Sequence, residues 1–378
     1  MPHSGPSLDQ PIPLSKLLQV GLELSPDEAA LLSRKGNASW SELDAVANGL
    51  AENYLALGLK PGDRFASLMP NRIALIAHYL ACFKAGLVLT PLNYRYTPRE
   101  IDHALAVSGA SIILAHAERA ADLAATNAGK LPLGIIAFGP KGTSGLSFES
   151  LAATGSCGEL PRMSPDAPAA IFFTSGSTGP AKGVTHTVGS LGWMFASAIK
   201  SFKLRPDDVA LMSMLPNTLM HLIREHDMTP DELSSLRLCR SAGDKVPAEL
   251  EKEYMALTGH PISEGYGMTE IGLAALNPPT VVNKLGSIGV PSPGFVFSIR
   301  SEDGGEVASG KGRAPFRADA VAHRRLLERS RRKRRSHPRG LARHRRRYAG
   351  RCRRLSVVLR LEQADHRSRR LQHLSAGG

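Results

Sequence analysis

The chain has 378 residues, 42% of them hydrophobic, and a formal net charge of +13. A balance that basic raises nucleic acid or an anionic membrane as partners. The charge is not spread, however. From Arg313 onward there are 22 Lys/Arg against 4 Asp/Glu, which leaves 25 basic and 30 acidic residues in the first 312. The body of the chain is therefore mildly acidic, and no specific nucleic-acid partner is expected for it. The four cysteines, Cys82, Cys157, Cys239 and Cys352, have neither metal-ligand nor disulfide spacing, which fits a reducing, cytoplasmic setting. No basic-then-apolar leader opens the sequence, and no apolar run is long enough to be a transmembrane segment.

In chain order, Leu43, Val46, Leu50 and Tyr54 recur at helical spacing and predict a helix that stops near Gly58, followed by a turn at Pro61-Gly62. Arg64 to Met69 reads as a strand, and Ile73 to Ala85 as a helix ended by Gly86. Leu87 to Leu89 is a short strand, Pro98 to Ser108 a helix, Ile112 to Ala115 a strand, and Ala169 to Phe173 a buried strand. Strands alternating with helices predict an α/β fold with largely parallel sheets. In such folds ligands gather at the carboxyl ends of strands.

The strand at 169–173 runs into Thr174-Ser175-Gly176-Ser177-Thr178-Gly179-Pro180-Ala181-Lys182-Gly183. A loop of Gly, Ser and Thr presents backbone N–H groups and small hydroxyls to an anion, and Lys182 adds a mobile positive charge. A phosphate-gripping loop and a plain Ser/Gly surface turn are both open on composition alone. The loop is not a Walker A motif. Counted from Gly176, the second glycine of that pattern falls on Ala181, and Gly183 stands where a magnesium-binding hydroxyl is required.

Read with the rest of the chain, Phe173 to Thr185 resembles the phosphate-binding signature of the AMP-forming acyl-CoA synthetases of the adenylate-forming superfamily. Glu264-Gly265-Tyr266-Gly267-Met268-Thr269-Glu270 resembles that family's adenine and magnesium motif. Trp40 to Leu43, Leu57 to Arg64, Met69 to Asn71, Lys84 to Gly86, Pro91 to Asn93 and Gly286 to Gly294 resemble other family segments in the same order. The resemblance implies a large N-terminal AMP-binding domain over 1–312, with largely parallel sheets and flanking helices. It implies ATP, Mg2+ and coenzyme A as cofactor and co-substrates, and a small-molecule carboxylic acid, fatty or aromatic, as substrate. It assigns Thr174, Ser175, Gly176, Ser177, Thr178, Gly179 and Lys182 to the phosphates and Gly243, Asp244 and Lys245 to an adenine-binding turn. Gly265, Tyr266 and Gly267 line adenine, with Tyr266 stacking on it. Thr269 is a phosphate contact and Glu270 the magnesium carboxylate, so Lys182, Thr269 and Glu270 form the catalytic set. Ser241 to Pro247 departs from the commoner Gly-Gly-Ala-Pro-like form of the adenine turn. His186 and His221 read as incidental, and Asp63-Arg64 as a turn and strand entry.

The pattern breaks twice. Near Pro216-Asn217 the strand Leu211 to Leu215 runs almost directly into a helix, where the family interposes an acyl gate and several dozen residues. A deletion between two similar Met-Leu-Pro sequences leaves such a junction. From Arg313 to Gly378 the chain turns Arg-rich without strand or helix periodicity, as in a disordered tail or a nucleic-acid arm. Read one base later, permitted codons for the same stretch can encode segments like Tyr-Trp-Asn-Asp-Pro, Thr-Gly-Asp, Gly-Tyr-Leu-Trp-Phe and Lys-Gln-Ile-Ile, in family order. The expected organisation is therefore an incomplete AMP-binding domain followed by an out-of-frame tail. On that reading the end of the large domain, the hinge and the small domain are absent from the translated frame, and with them the ribose-binding Asp, the hinge-proximal basic residue and the adenylation lysine. On that reading the chain's ligase activity is impaired. The alternative is a non-catalytic protein whose basic tail binds nucleic acid or anionic surfaces through phosphate contacts.

Overall fold

The computed structural model describes residues 9–33, 35–139, 146–152, 160–174, 180–205, 208, 211–225, 229–234, 236–278, 283–300, 317–322 and 357–360. Helix α1 (Gln19–Leu24) and the two-stranded β1 (Ala29–Leu31) and β2 (Ala38–Ser39) lead into α2 (Trp40–Ala56). The following elements are β3 (Arg64–Leu68), α3 (Ile73–Lys84), β4 (Val88–Pro91), α4 (Pro98–Ser108) and β5 (Ile112–His116). Then come α5 (Ala120–Ala124), β6 (Ile135–Phe138), α6 (Phe148–Leu151), β7 (Pro168–Thr174), β8 (Lys182–Thr187) and α7 (Val188–Phe202). Strands β3 to β8 make one six-stranded sheet in the order β6-β5-β3-β4-β7-β8, parallel except for the final β7–β8 hairpin. The helices and strands expected from periodicity in this half are all present, displaced by a few residues at most.

Alternation along the strands explains their near-continuous apolar character. Phe65, Ile112 and Leu114 face the core under α2 and α3, whereas Ala66, Leu68, Ile113 and Ala115 face α4 with Ile101, Ala104 and Leu105. Parallel strands covered on both faces need apolar residues at every position. Helix starts are locally encoded. Ser39 with Glu42 and Thr97 with Glu100 form capping boxes, and Pro98 occupies the first turn of α4, each cap being worth roughly 1 kcal/mol.

The second half contains β9 (Leu211–Met214), α8 (Pro216–Glu225), α9 (Pro230–Leu233), β10 (Leu238–Ala242), α10 (Ala248–Thr258), β11 (Ile262–Met268), β12 (Gly272–Leu276) and β13 (Val290–Pro291). They form a five-stranded sheet, β13-β12-β11-β10-β9, in which β9, β10 and β11 are parallel. Its core is Leu219, Cys239, Val246, Leu250, Tyr254 and Ile262 under α8 and α10. Helix α7 serves both halves: Leu191 packs into the first core and Phe202 into a cluster with Leu238 and Leu276.

Two short stretches of the Arg-rich tail are extended. Strands β15 (Arg317–Ala322) and β16 (Val357–Arg360) add to β14 (Phe295–Arg300) as an antiparallel sheet in the order β14-β15-β16. Periodicity was absent there, but backbone pairing to an existing strand does not require it. Among the described residues, no helix is long and apolar enough to cross a membrane.

Candidate nucleotide site

The β7–β8 hairpin closes directly on the loop singled out in the sequence. Thr174 and Lys182 are register partners across it, and the Thr174 hydroxyl donates to the Lys182 carbonyl at 3.5 Å. Ser175, Gly176, Ser177, Thr178 and Gly179 lie outside the described residues. The exit of the loop is tied to α4, where His103 Nε2 donates to the Ala181 carbonyl at 2.9 Å. The Lys182 side chain is exposed and makes no ion pair among the described residues. A cation held ready but unpaired suits an anionic ligand.

The other site segments leave one edge of the five-stranded sheet. Parallel pairing sets Met214 beside Ser241 and Ala242 beside Gly265. The carboxyl ends of β9, β10 and β11 therefore project together, carrying the 215–216 junction, the 243–245 turn and the 266–270 segment. Gly243 has φ +96°, a conformation that favours glycine, and Leu215 lies 2.8 Å from where its Cβ would be. Asp244 caps its own turn by accepting the Lys245 N–H at 2.8 Å.

Lys245 is engaged within the protein. Its ammonium donates to both oxygens of Glu264, at 2.9 and 3.1 Å, and to the Gly286 carbonyl at 2.7 Å. Glu251 accepts the Gly286 N–H at 3.2 Å. Burial pushes the Glu251 carboxyl up, with the nearby Glu264 charge adding to the effect. Glu264 is buried, and the sequence reading gave it no role of its own. Its position opposite a lysine in the neighbouring parallel strand's turn appears only once the strands are paired.

Tyr266 is half-buried at the end of β11, and burial raises its phenol. Gly267 has no room for a side chain, since a Cβ would meet the Gly272 carbonyl at 2.3 Å. That close approach lets β11 and β12 form a tight hairpin whose turn carries Thr269 and Glu270. The Glu270 carboxylate is exposed and has no hydrogen bond or ion pair among the described residues.

His186, read from the sequence as incidental rather than catalytic, makes a contact between the two sheets that no sequence spacing shows. It lies on β8, 4% exposed, with its ring 5.6 Å from Phe172. Its Nε2 donates to the Thr269 carbonyl at 2.7 Å, across 83 residues of sequence. Burial lowers its pKa, opposed by the Thr269 carbonyl and the Glu270 charge. His221 is exposed and pairs with Glu225 at 2.7 Å on α8, as a surface residue does.

The Gly/Ser/Thr loop thus leaves one α/β sheet and the 243–245 turn the other, and the two sheets meet at the Thr269–Glu270 turn. The chain belongs to the AMP-binding enzyme family, whose profile matches residues 18–220 and 211–313, so that 211–220 are matched twice. It is 30% identical to a feruloyl-CoA synthase of Amycolatopsis sp., over 73% of this chain and 63% of that protein. It is 26% identical to a long-chain-fatty-acid–CoA ligase of Escherichia coli O157:H7, over 68% and 60%. The chain thus spans less than two thirds of the length of these relatives. The crystal structure of ATP-bound MatB from Rhodopseudomonas palustris superposes with a TM-score of 0.71 at 25% identity, covering 82% of this chain and 70% of that one.

Proposed function

We propose that this chain derives from an AMP-forming carboxylic acid–CoA ligase and retains its nucleotide-binding half with impaired catalysis. In the full reaction a carboxylate oxygen attacks the α-phosphorus of ATP, giving an acyl-adenylate and pyrophosphate. The coenzyme A thiol then takes the acyl group and AMP leaves. Holding the reactants in line and neutralising the departing pyrophosphate are the main demands.

One observation carries the reading: the Thr174–Lys182 hairpin and the Thr269–Glu270 turn, far apart in sequence, are joined through His186. The loop with Lys182 would hold the β- and γ-phosphates, Thr269 would contact phosphate, and the 243–245 turn with Gly265, Tyr266 and Gly267 would hold adenine. The donor set fits magnesium. A single exposed carboxylate, Glu270, is what a small hard cation takes when phosphate oxygens and water complete its shell. Bound there, magnesium would supply charge neutralisation on the phosphates.

The acid half is the damaged one. The double match of 211–220 is what joining two similar sequences leaves. The alignment to the feruloyl-CoA synthase runs over 329 positions yet uses 73% of this 378-residue chain, so it holds several dozen positions to which this chain contributes nothing. At the junction a single residue, Leu215, separates β9 from α8, and it is 56% exposed. The family match also ends at residue 313, where the Arg-rich stretch begins. These facts support a lost acyl-pocket segment near 216–217 and an out-of-frame end in place of the small domain. We assign the substrate to fatty or aromatic acids and the location to the cytoplasm, where the buried thiols of Cys82 and Cys239 remain free. The test is titration of the full chain with MgATP. Saturable binding is expected, and its absence would end the nucleotide-binding reading.

A further inference from the structure

We propose that His186 is a positioning residue of the nucleotide site, clamping the Thr269–Glu270 turn to the phosphate-loop hairpin and so setting where the Glu270 carboxylate stands. This rests on the nucleotide-site reading above, and goes beyond it by giving a role to a residue outside the binding motifs. The two motifs sit on different sheets, so neither sheet's own hydrogen bonds can fix their separation. His186 has the geometry to do so. It is on β8, four residues after Lys182, and its backbone is locked into the hairpin through the His186↔Ala170 register. Its ring is held by burial and by Phe172. The 2.7 Å bond to the Thr269 carbonyl is therefore made by a donor with little freedom to move.

A second contact from the same side supports the clamp. Met194 of α7 lies 2.8 Å from where a Cβ on Gly272 would be, so the far end of the same turn also rests on the first half of the molecule. The turn is thus held at Thr269 by hydrogen bonding and at Gly272 by packing. Packing alone restrains distance loosely, whereas the hydrogen bond also fixes the orientation of the peptide plane leading into Glu270.

The experiment compares the full wild-type chain with His186→Leu, which fills the space but lacks the donor, and His186→Gln, which keeps an N–H donor. Hydrogen exchange is followed over 265–276, with 64–68 and 112–116 as the internal reference. The clamp predicts that His186→Leu exchanges about tenfold faster at 265–276 alone, because a part-buried carbonyl loses its partner, and that His186→Gln returns most of the protection. Unchanged exchange in His186→Leu, equal opening in both variants, or loss of protection throughout both would overturn it. MgATP titration of the same three proteins separates the two readings. If none binds MgATP while exchange behaves as expected, the clamp stands and the nucleotide reading fails. If wild type binds, His186→Leu should bind about tenfold more weakly and His186→Gln near wild type; equal affinity in wild type and His186→Leu would show that the clamp does not act on the site.

Discussion

The ammonium of Lys245 bridges buried Glu264 and the Gly286 carbonyl, and so ties the turn after β10 to β11 and to the segment beyond β12. Glu264 is nearly inaccessible, whereas the Lys245 side chain is 57% exposed. Removing the lysine leaves a carboxylate with little water to replace it. Lys245→Met is expected to cost about 2 kcal/mol. Adding Glu264→Gln should recover part of that loss. Urea denaturation of both variants checks the pair; equal stability of Lys245→Met and wild type would show that the bridge contributes nothing.

The phosphate loop has its own test. Lys182 is exposed and unpaired among the described residues, so Lys182→Ala removes charge without breaking a fold contact. MgATP affinity should fall about tenfold while the unfolding midpoint stays put. Calorimetry giving one affinity for both proteins would remove Lys182 from the site.

Below neutrality, stability should depend on His78. Its ring is fully buried, 3.1 Å from the Tyr54 hydroxyl and packed edge-on against Phe65. Burial lowers its pKa from 6.5 to about 3. The unfolded chain therefore binds a proton between those values that the folded chain refuses. The stabilising effect of keeping the ring neutral is complete above 6.5 and is lost as pH falls, by about 1.4 kcal/mol per unit. Denaturation from pH 7.5 to 4.5 should show this slope, and His78→Gln should flatten it. A slope identical in the variant would place the acid sensitivity elsewhere.

Thioester formation should be negligible with fatty and aromatic acids, ATP, magnesium and coenzyme A. Losing one preorganised electrostatic contact costs on the order of 10²–10³ in rate, and here the acyl gate and small-domain lysine would both be gone. Restoring only one of the two lost parts should leave the chain slow. Turnover by the 378-residue protein near about one per second, an ordinary enzymatic rate, would refute the impaired reading.

The coding DNA should remain open when read one base later from about codon 313, and should encode the family segments named above. Stop codons in that frame would instead favour a true basic arm, whose binding to nucleic acid would weaken steeply with salt.

Much of the first half was legible because its signals are local. Ser39 and Thr97 cap their helices with partners three residues on, and Leu43 to Tyr54 show their face at one spacing. The family's motifs were legible for the same reason, as contiguous runs. What escaped depends on pairing across the fold. His186 meets Thr269 from 83 residues away, and Lys245 meets Glu264 because β10 and β11 are parallel neighbours. Neither relation leaves a spacing to find. Nor could the pairing of 317–322 with β14 be read, because backbone hydrogen bonds carried it rather than a side-chain pattern.

The hairpin that presents Thr174 and Lys182 also sets what their spacing depends on. Both residues stand on adjacent strands of one ribbon, in register with each other. Insertions or losses elsewhere in the chain therefore leave their separation untouched, as long as β7 and β8 stay paired.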